Sequence, residues 1–336
     1  FAIGGPSFDL PWPPARNPWN RARYPGGSSS GSGAAVAAGL VPMAIGTDTG
    51  GSVRNPATAC GIVGMKPTYG RVSRRGVFPL SFSLDHVGPM TRTVADNALM
   101  LNVIAGHDPG DPGSANLPTP DFTADLDKGV DGLSIGVIRH FHNRDMTAEP
   151  AMAQALEDAL VVLSDLGADI SEIETAPLGE FATCNRIILL SEAYAIHRKW
   201  LQTRPEDYSE SFLERILPGA FLSANDYVDA LRLRRKLTAS FNRTISGLDG
   251  VIAVSAMDAA FAIDDAEEIA LKYPRQARTP FNLTGNPALA IPTGFNDDGM
   301  PLAMQIVGKQ FDEATIYRIA ADYEVATDWH LRRPPI

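Results

Sequence analysis

The chain is short of cysteine. Cys60 and Cys184 are the only two in 336 residues, too few for a disulfide framework and without the Cys/His spacing of a metal site. A reducing, cytoplasmic setting is the expectation, with no metal and no cofactor. Runs of 18 apolar residues are absent, so no helix is expected to span a membrane, and the first residues do not read as a signal peptide. Positive charge is scarce: 29 Lys and Arg face 39 Asp and Glu, a net charge of −10, which argues against nucleic acid as a bulk partner. Lysine is rarer still, with only Lys66, Lys128, Lys199, Lys236, Lys272 and Lys309. Neither a GxxxxGK nor a GxGxxG motif occurs, so nucleotide-binding loops are not indicated, and there is no internal repeat.

What the chain has is glycine and serine in two clusters. Gly26-Gly27-Ser28-Ser29-Ser30-Gly31-Ser32-Gly33 and Gly46-Thr47-Asp48-Thr49-Gly50-Gly51-Ser52 flank a small-residue and apolar stretch. Successive N–H groups in such loops can converge on one oxygen and stabilise a tetrahedral oxyanion during acyl transfer. Those of Thr49, Gly50, Gly51 and Ser52 are the candidates. A flexible linker is the competing reading, but apolar, proline-anchored sequence continues on both sides. Gly27-Ser28-Ser29-Ser30-Gly31 also matches the GxSxG nucleophile elbow in letters. Its preceding segment, Asn20 to Pro25, is no strand, which counts against that fold.

At 336 residues, with 44% hydrophobic and 20% charged residues, the chain has the size and composition of a large globular α/β domain or two smaller ones. Proline-rich residues 1–27 predict an irregular, aromatic-pinned segment. Helices are expected at residues 32–40, from Asn55, from Thr91 to Gly106, at 148–166 and at about 312–326. Strands are expected at 41–45, 62–66, 133–138, 169–174, 250–255, 288–291 and 302–307. Residues 178–248 read as a helical insertion or lid over a substrate pocket. The alternation makes the fold α/β: a single large α/β/α domain over 1–336, with a central twisted mixed β-sheet flanked by helices.

Competing chemistry is weaker. His86, in Leu84–Pro89, reads as a structural hydrogen-bonding group in a buried loop. Asp264-Asp265 and Glu267-Glu268 read as a solvated face rather than a glycosidase pair. Arg232, Arg234, Arg235 and Lys236 read as a solvated helix face. Phe181, Tyr194, Trp200 and Tyr273 are candidates for an aryl pocket or for core packing.

The two clusters together resemble the amidase signature family. The resemblance continues through Cys60-Gly61, Gly64-Met65-Lys66-Pro67-Thr68-Tyr69-Gly70-Arg71 and Ser83–Met90, and resumes at Pro280–Gly285 and Met304–Gly308. Ser28 and Ser52 stand 24 residues apart (52 − 28), as the family's two catalytic serines do. The resemblance implies that Ser52 forms the acyl-enzyme and that Ser28, after a cis Gly27–Ser28 peptide, relays protons. Thr49–Ser52 would hold the oxyanion, and a neutral lysine would act as base on Ser28. Ser29 would give a supporting hydrogen bond, and Asp48, Arg54 and Asp85 would be buried, paired supports. The activity implied is hydrolysis of the C–N bond of a linear amide, a range that extends to aryl amides, esters and carbamates. The alternatives are an A-subunit-like glutaminase of a tRNA-dependent amidotransferase, or an inactive member. The partner expected is a small-molecule amide, with no nucleic acid and no membrane; a homodimer stays open.

Two departures stand out. Ser30 occupies a position where the family usually has glycine, and a solvated hydroxyl is expected there. The family's lysine lies upstream of the first cluster, whereas all six lysines here lie downstream. Phe1-Ala2-Ile3-Gly4-Gly5 resembles a segment that follows that lysine, so the expectation is that an N-terminal portion carrying the base precedes residue 1. A molecule of 36.0 kDa by intact mass is expected to be inactive.

Overall fold

The computed structural model describes residues 1–336. In chain order the elements are α1 (Ser30–Ala37), β1 (Met43–Asp48), α2 (Arg54–Cys60), β2 (Val63–Lys66), β3 (His86–Thr91), α3 (Val94–Ile104), β4 (Ser134–Val137), α4 (His140–Asn143), α5 (Pro150–Asp165) and β5 (Asp169–Glu172). They continue with α6 (Leu178–Thr203), α7 (Glu210–Ile216), α8 (Ala224–Thr244), β6 (Gly250–Val254), α9 (Ala266–Lys272), α10 (Thr279–Thr284), β7 (Ala288–Phe295), β8 (Pro301–Val307) and α11 (Glu313–Ala326). One eight-stranded sheet runs in the order β1-β3-β2-β7-β8-β6-β4-β5. It is mixed: β4 runs parallel to β5 and β6, and every other pairing is antiparallel.

The burial pattern follows position in the sheet. The inner strands β2, β8 and β6 are buried at every residue, as covering both faces requires. The edge strands β1 and β5 keep exposed residues. Helix α5 shows how a helix joins the core: Met152, Ala155, Leu156, Ala159, Leu160 and Leu163 fall at helical spacing and are all buried.

Helix α1 is held by close approach instead. A Cβ on Gly33 would lie 2.8 Å from Pro56 Cβ, so only glycine lets α1 settle on α2.

Three expectations shift. Residues 84–89 are not a loop, because His86–Thr91 forms β3 between β1 and β2. Pro89 lacks an N–H and Gly88 weakens strand propensity, which hid the strand. The helix expected from Thr91 begins at Val94, with Thr93 as N-cap accepting from the Asp96 N–H. The span 178–248 is indeed helical, as α6, α7 and α8, but its arginines are not all solvated. Arg234 reaches inward to the carbonyls of Leu283 (2.7 Å) and Ser83 (2.9 Å).

Candidate active site

The two glycine/serine clusters meet at the end of β1. The Ser29 N–H donates to Ser52 O at 3.3 Å, bringing Ser28 and Ser52 into one site. Ser29 Oγ donates to Thr47 O (3.2 Å) and accepts from Thr47 N (3.1 Å), which ties the first loop to β1. The peptide between Gly27 and Ser28 is cis. Ser28 Oγ is buried and has no hydrogen-bond partner within the chain, so none of the six lysines hydrogen-bonds it. Ser30 is buried, not solvated as expected: its hydroxyl donates to Gly26 O at 2.7 Å and closes the turn.

The loop from Asp48 to Arg54 wraps around a carboxylate. Asp48 is fully buried and accepts from the N–H groups of Gly51 (2.7 Å), Val53 (3.1 Å) and Arg54 (3.3 Å). Arg54 clamps it with Nε on Oδ2 and Nη2 on Oδ1, both at 3.1 Å. Burial alone would push the Asp48 carboxyl up. The charge and hydrogen bonds of Arg54, helped by Lys66 and Asn282, reverse this and hold it well below the usual range.

One expected oxyanion donor is thereby removed. The Gly51 N–H is turned inward to Asp48, leaving Thr49, Gly50 and Ser52 of the original set.

The remaining supports are hydrogen bonds rather than charges. Asp85 is not the paired charge expected of it; it accepts from Thr49 Oγ1 (2.6 Å), Leu80 N and Ser81 N (both 2.9 Å). Burial nevertheless pushes its carboxyl upward. Glu192 of α6 in turn fixes that loop, accepting from Ser81 Oγ (2.5 Å), Ser83 N (3.0 Å) and Ser83 Oγ (2.8 Å). His86 is structural as expected, with Nδ1 at 2.7 Å from Leu84 O and 3.1 Å from Asp48 O. Lys66 is fully buried with Nζ on Pro67 O at 3.1 Å, and burial, then the Arg54 charge, pulls its pKa well down.

Several site residues escaped the sequence reading. Asn282 donates to Asp48 Oδ1 (2.7 Å) and accepts from Arg54 Nη2 (2.7 Å). Gln305 accepts from Arg54 Nη1 at 2.8 Å. Both lie in the segments Pro280–Gly285 and Met304–Gly308, which could have flagged them. Asn185 donates to Thr49 O at 3.3 Å, and Arg278 crosses Gly51; no local pattern marks either.

Three of the four aromatics sit in separate surroundings. Phe181 is in the main core, Trp200 packs by Phe78, and Tyr273 stands edge-on to Tyr24. The acidic pairs lie on a largely exposed face as expected, where Asp265 also caps α9 and Glu268 bonds Lys272.

Gly51 can be tested alone. Its φ is +129°, and a Cβ there would meet Arg278 Nε at 2.6 Å. Gly51→Ala is expected to destabilise the fold by more than about 1 kcal/mol and to lower turnover. Chemical denaturation and a rate assay check it; unchanged values in both would contradict the geometry.

The site is thus a mixed α/β sheet carrying two serine-bearing glycine loops in contact, one wrapped on a buried Asp–Arg pair. The Amidase family model matches residues 7–317, and the chain belongs to the amidase signature family. It is 39% identical over 362 residues to the A subunit of the glutamyl-tRNA(Gln) amidotransferase of Chloroflexus aggregans, covering 100% of this chain and 73% of that protein. The crystal structure of the Thermotoga maritima counterpart of that A subunit superposes with a TM-score of 0.84 at 36% identity, covering 96% of this chain and 71% of that one. A bacterial aryl acylamidase of the same family superposes at 0.87 with 26% identity, covering 98% and 71%. No helix is long and apolar enough to cross a membrane.

Proposed function

We propose that this chain cleaves the C–N bond of an amide through an acyl-enzyme on Ser52, with Ser28 as proton relay. The contact from Ser29 N–H to Ser52 O supports this reading, because it joins the two serine loops. Attack by Ser52 Oγ on the carbonyl forms the C–O bond, and its proton passes to Ser28 and on to a base. No side chain of residues 1–336 hydrogen-bonds Ser28 Oγ, which leaves the relay free to hand the proton on. The N–H groups of Thr49, Gly50 and Ser52 are the candidates to hold the oxyanion. Collapse breaks the C–N bond, and the proton returns through Ser28 to the leaving nitrogen. Water then cleaves the ester.

Two fates are open to that nitrogen. Hydrolysis of a free small-molecule amide, aryl amides included, is one. The names of the curated relatives favour the other, in which the chain works within a glutamyl-tRNA(Gln) amidotransferase, in the place of its A subunit, and passes nitrogen to partner chains. The net charge of −10 then leaves tRNA recognition to those partners.

A serine-reactive fluorophosphonate should label Ser52, as read by peptide mapping. Ammonia released from glutamine only with partner chains present supports the amidotransferase, and turnover of simple amides by the isolated protein supports the hydrolase. No adduct at Ser52 identifies an inactive member.

A further inference from the structure

Two arginines, Arg54 and Arg278, meet the loop that carries Ser52, and a third, Arg275, lies three residues before Arg278; Arg54 and Arg275 are matched to carboxylates in the same way. Arg54 presents its Nε and Nη2 edge to Asp48, at 3.1 Å for both bonds. Arg275 presents the same edge to Asp258, at 2.6 and 3.3 Å. This fork is the geometry a carboxylate fits with both oxygens.

Arg278 is the exception. It is 3% exposed, yet it forms no ion pair with any carboxylate of the chain. Its Nη1 donates to Ser255 O at 2.8 Å, while its Nε has no acceptor. A buried guanidinium without an anion is costly, and neighbouring charge does not relieve it. Arg54 stands close enough to repel it, and burial followed by that repulsion pulls its pKa down to about 9. Asp48 attracts it but is taken by Arg54, and Asp258 is taken by Arg275.

The position makes this chemically relevant. Arg278 Nε lies 2.6 Å from where a Gly51 Cβ would be, one residue from Ser52. Tyr24 places a second buried, unpartnered polar atom nearby, its hydroxyl lying 3.0 Å from the Cβ position of Gly27, one residue from Ser28. The phenol of Tyr273 and the cation of Arg215 face the same group, and Arg215 sits 5.0 Å over the Tyr273 ring. The carboxylate that shares this ground, Asp258, is held by Arg275, and Glu268 is held by Lys272.

We propose that Arg278, assisted by the Tyr24 hydroxyl, recognises a carboxylate on the substrate close to the scissile amide. The substrates are then anionic amides rather than neutral ones. This rests on the reading of Ser52 as nucleophile and adds the charge of its substrate.

The test compares succinamate with its neutral counterpart butyramide. Wild-type protein, with its partner chains if it needs them, should show kcat/KM at least tenfold higher for succinamate. Arg278→Met should bring that ratio to about one, and Arg278→Lys should restore part of it, as a charge without the fork. Equal rates in the wild type, or a ratio that survives Arg278→Met, overturns the assignment. If neither amide is cleaved, fluorophosphonate labelling of Ser52 judges the nucleophile reading separately, and titration with succinate decides the subsite. Wild-type binding that is lost in Arg278→Met supports the subsite, and no wild-type binding overturns it. Should Arg278→Met fail to fold, Tyr24→Phe takes its place, expected to lower the ratio at least threefold; an unchanged ratio counts against the proposal.

Discussion

Ser52→Ala should lower kcat/KM by about 10⁴-fold or more, the scale seen when a serine nucleophile is removed from a group that works as a unit. The side chain is half-buried, so its truncation should leave the fold intact, and the loss will be catalytic. Ser28→Ala should behave differently. It leaves the nucleophile in place but removes its proton path, a loss of about 10²–10⁴-fold, the range of general acid–base catalysis. The two variants separate by adduct formation: Ser52→Ala takes no fluorophosphonate label, while Ser28→Ala labels slowly. Because the serines act in series, the double variant should be little worse than Ser52→Ala. Turnover retained by Ser52→Ala, or additive losses in the double variant, would remove Ser52 from the nucleophile's position.

The site was legible where chemistry is local in sequence. Ser28 and Ser52 sit in glycine-rich runs whose composition already implies exposed N–H groups, and the family resemblance, not spacing alone, ties them together. The resemblance implied that Asp48 and Arg54 are buried, paired supports, and the structure pairs them with each other, six residues apart in one loop. What could not be read was long-range convergence. Arg278 reaches Gly51 across more than two hundred residues, and only the sheet order brings α10 against the second loop. Gln305 reaches Arg54 because β8 lies near the middle of that sheet. Nor could the sequence tell which N–H groups turn inward, as the Gly51 N–H does toward Asp48.

The fold followed the same division. Helix α5 declares itself through its apolar spacing, and β6 through a continuous apolar run. Strand β3 did not, since Gly88 and Pro89 are poor strand formers that the sheet tolerates through its register, with Pro89 opposite Ile45. There tertiary pairing overrides local propensity.

Arg54→Met should be the most damaging substitution for stability, costing about 3–5 kcal/mol, the usual penalty for breaking one side of a buried ion pair. Arg54 is fully buried, and besides Asp48 its guanidinium serves the Arg278 carbonyl, Gln305 and Asn282. Methionine fills much of its volume but leaves those acceptors unmet. The pH dependence should also change sign. In the wild type the folded-state pKa of Asp48 is depressed, so its contribution is present above the unfolded pKa of about 3.9 and is lost as pH falls through the lower folded value. Without Arg54, burial dominates and the folded pKa rises above the unfolded one. The variant's contribution from Asp48 is then largest below pH ~4 and declines as pH rises through the raised folded value. Chemical denaturation at pH 5 and pH 7.5 reads this directly, with Arg54→Met gaining stability at the lower pH relative to wild type. Asp48→Asn in the Arg54→Met background removes the charge and should abolish that pH trend while recovering part of the loss. A cost below about 1 kcal/mol, well under the buried-pair range, or a pH trend unchanged from wild type, would mean that the Asp48–Arg54 pair does not hold the nucleophile loop.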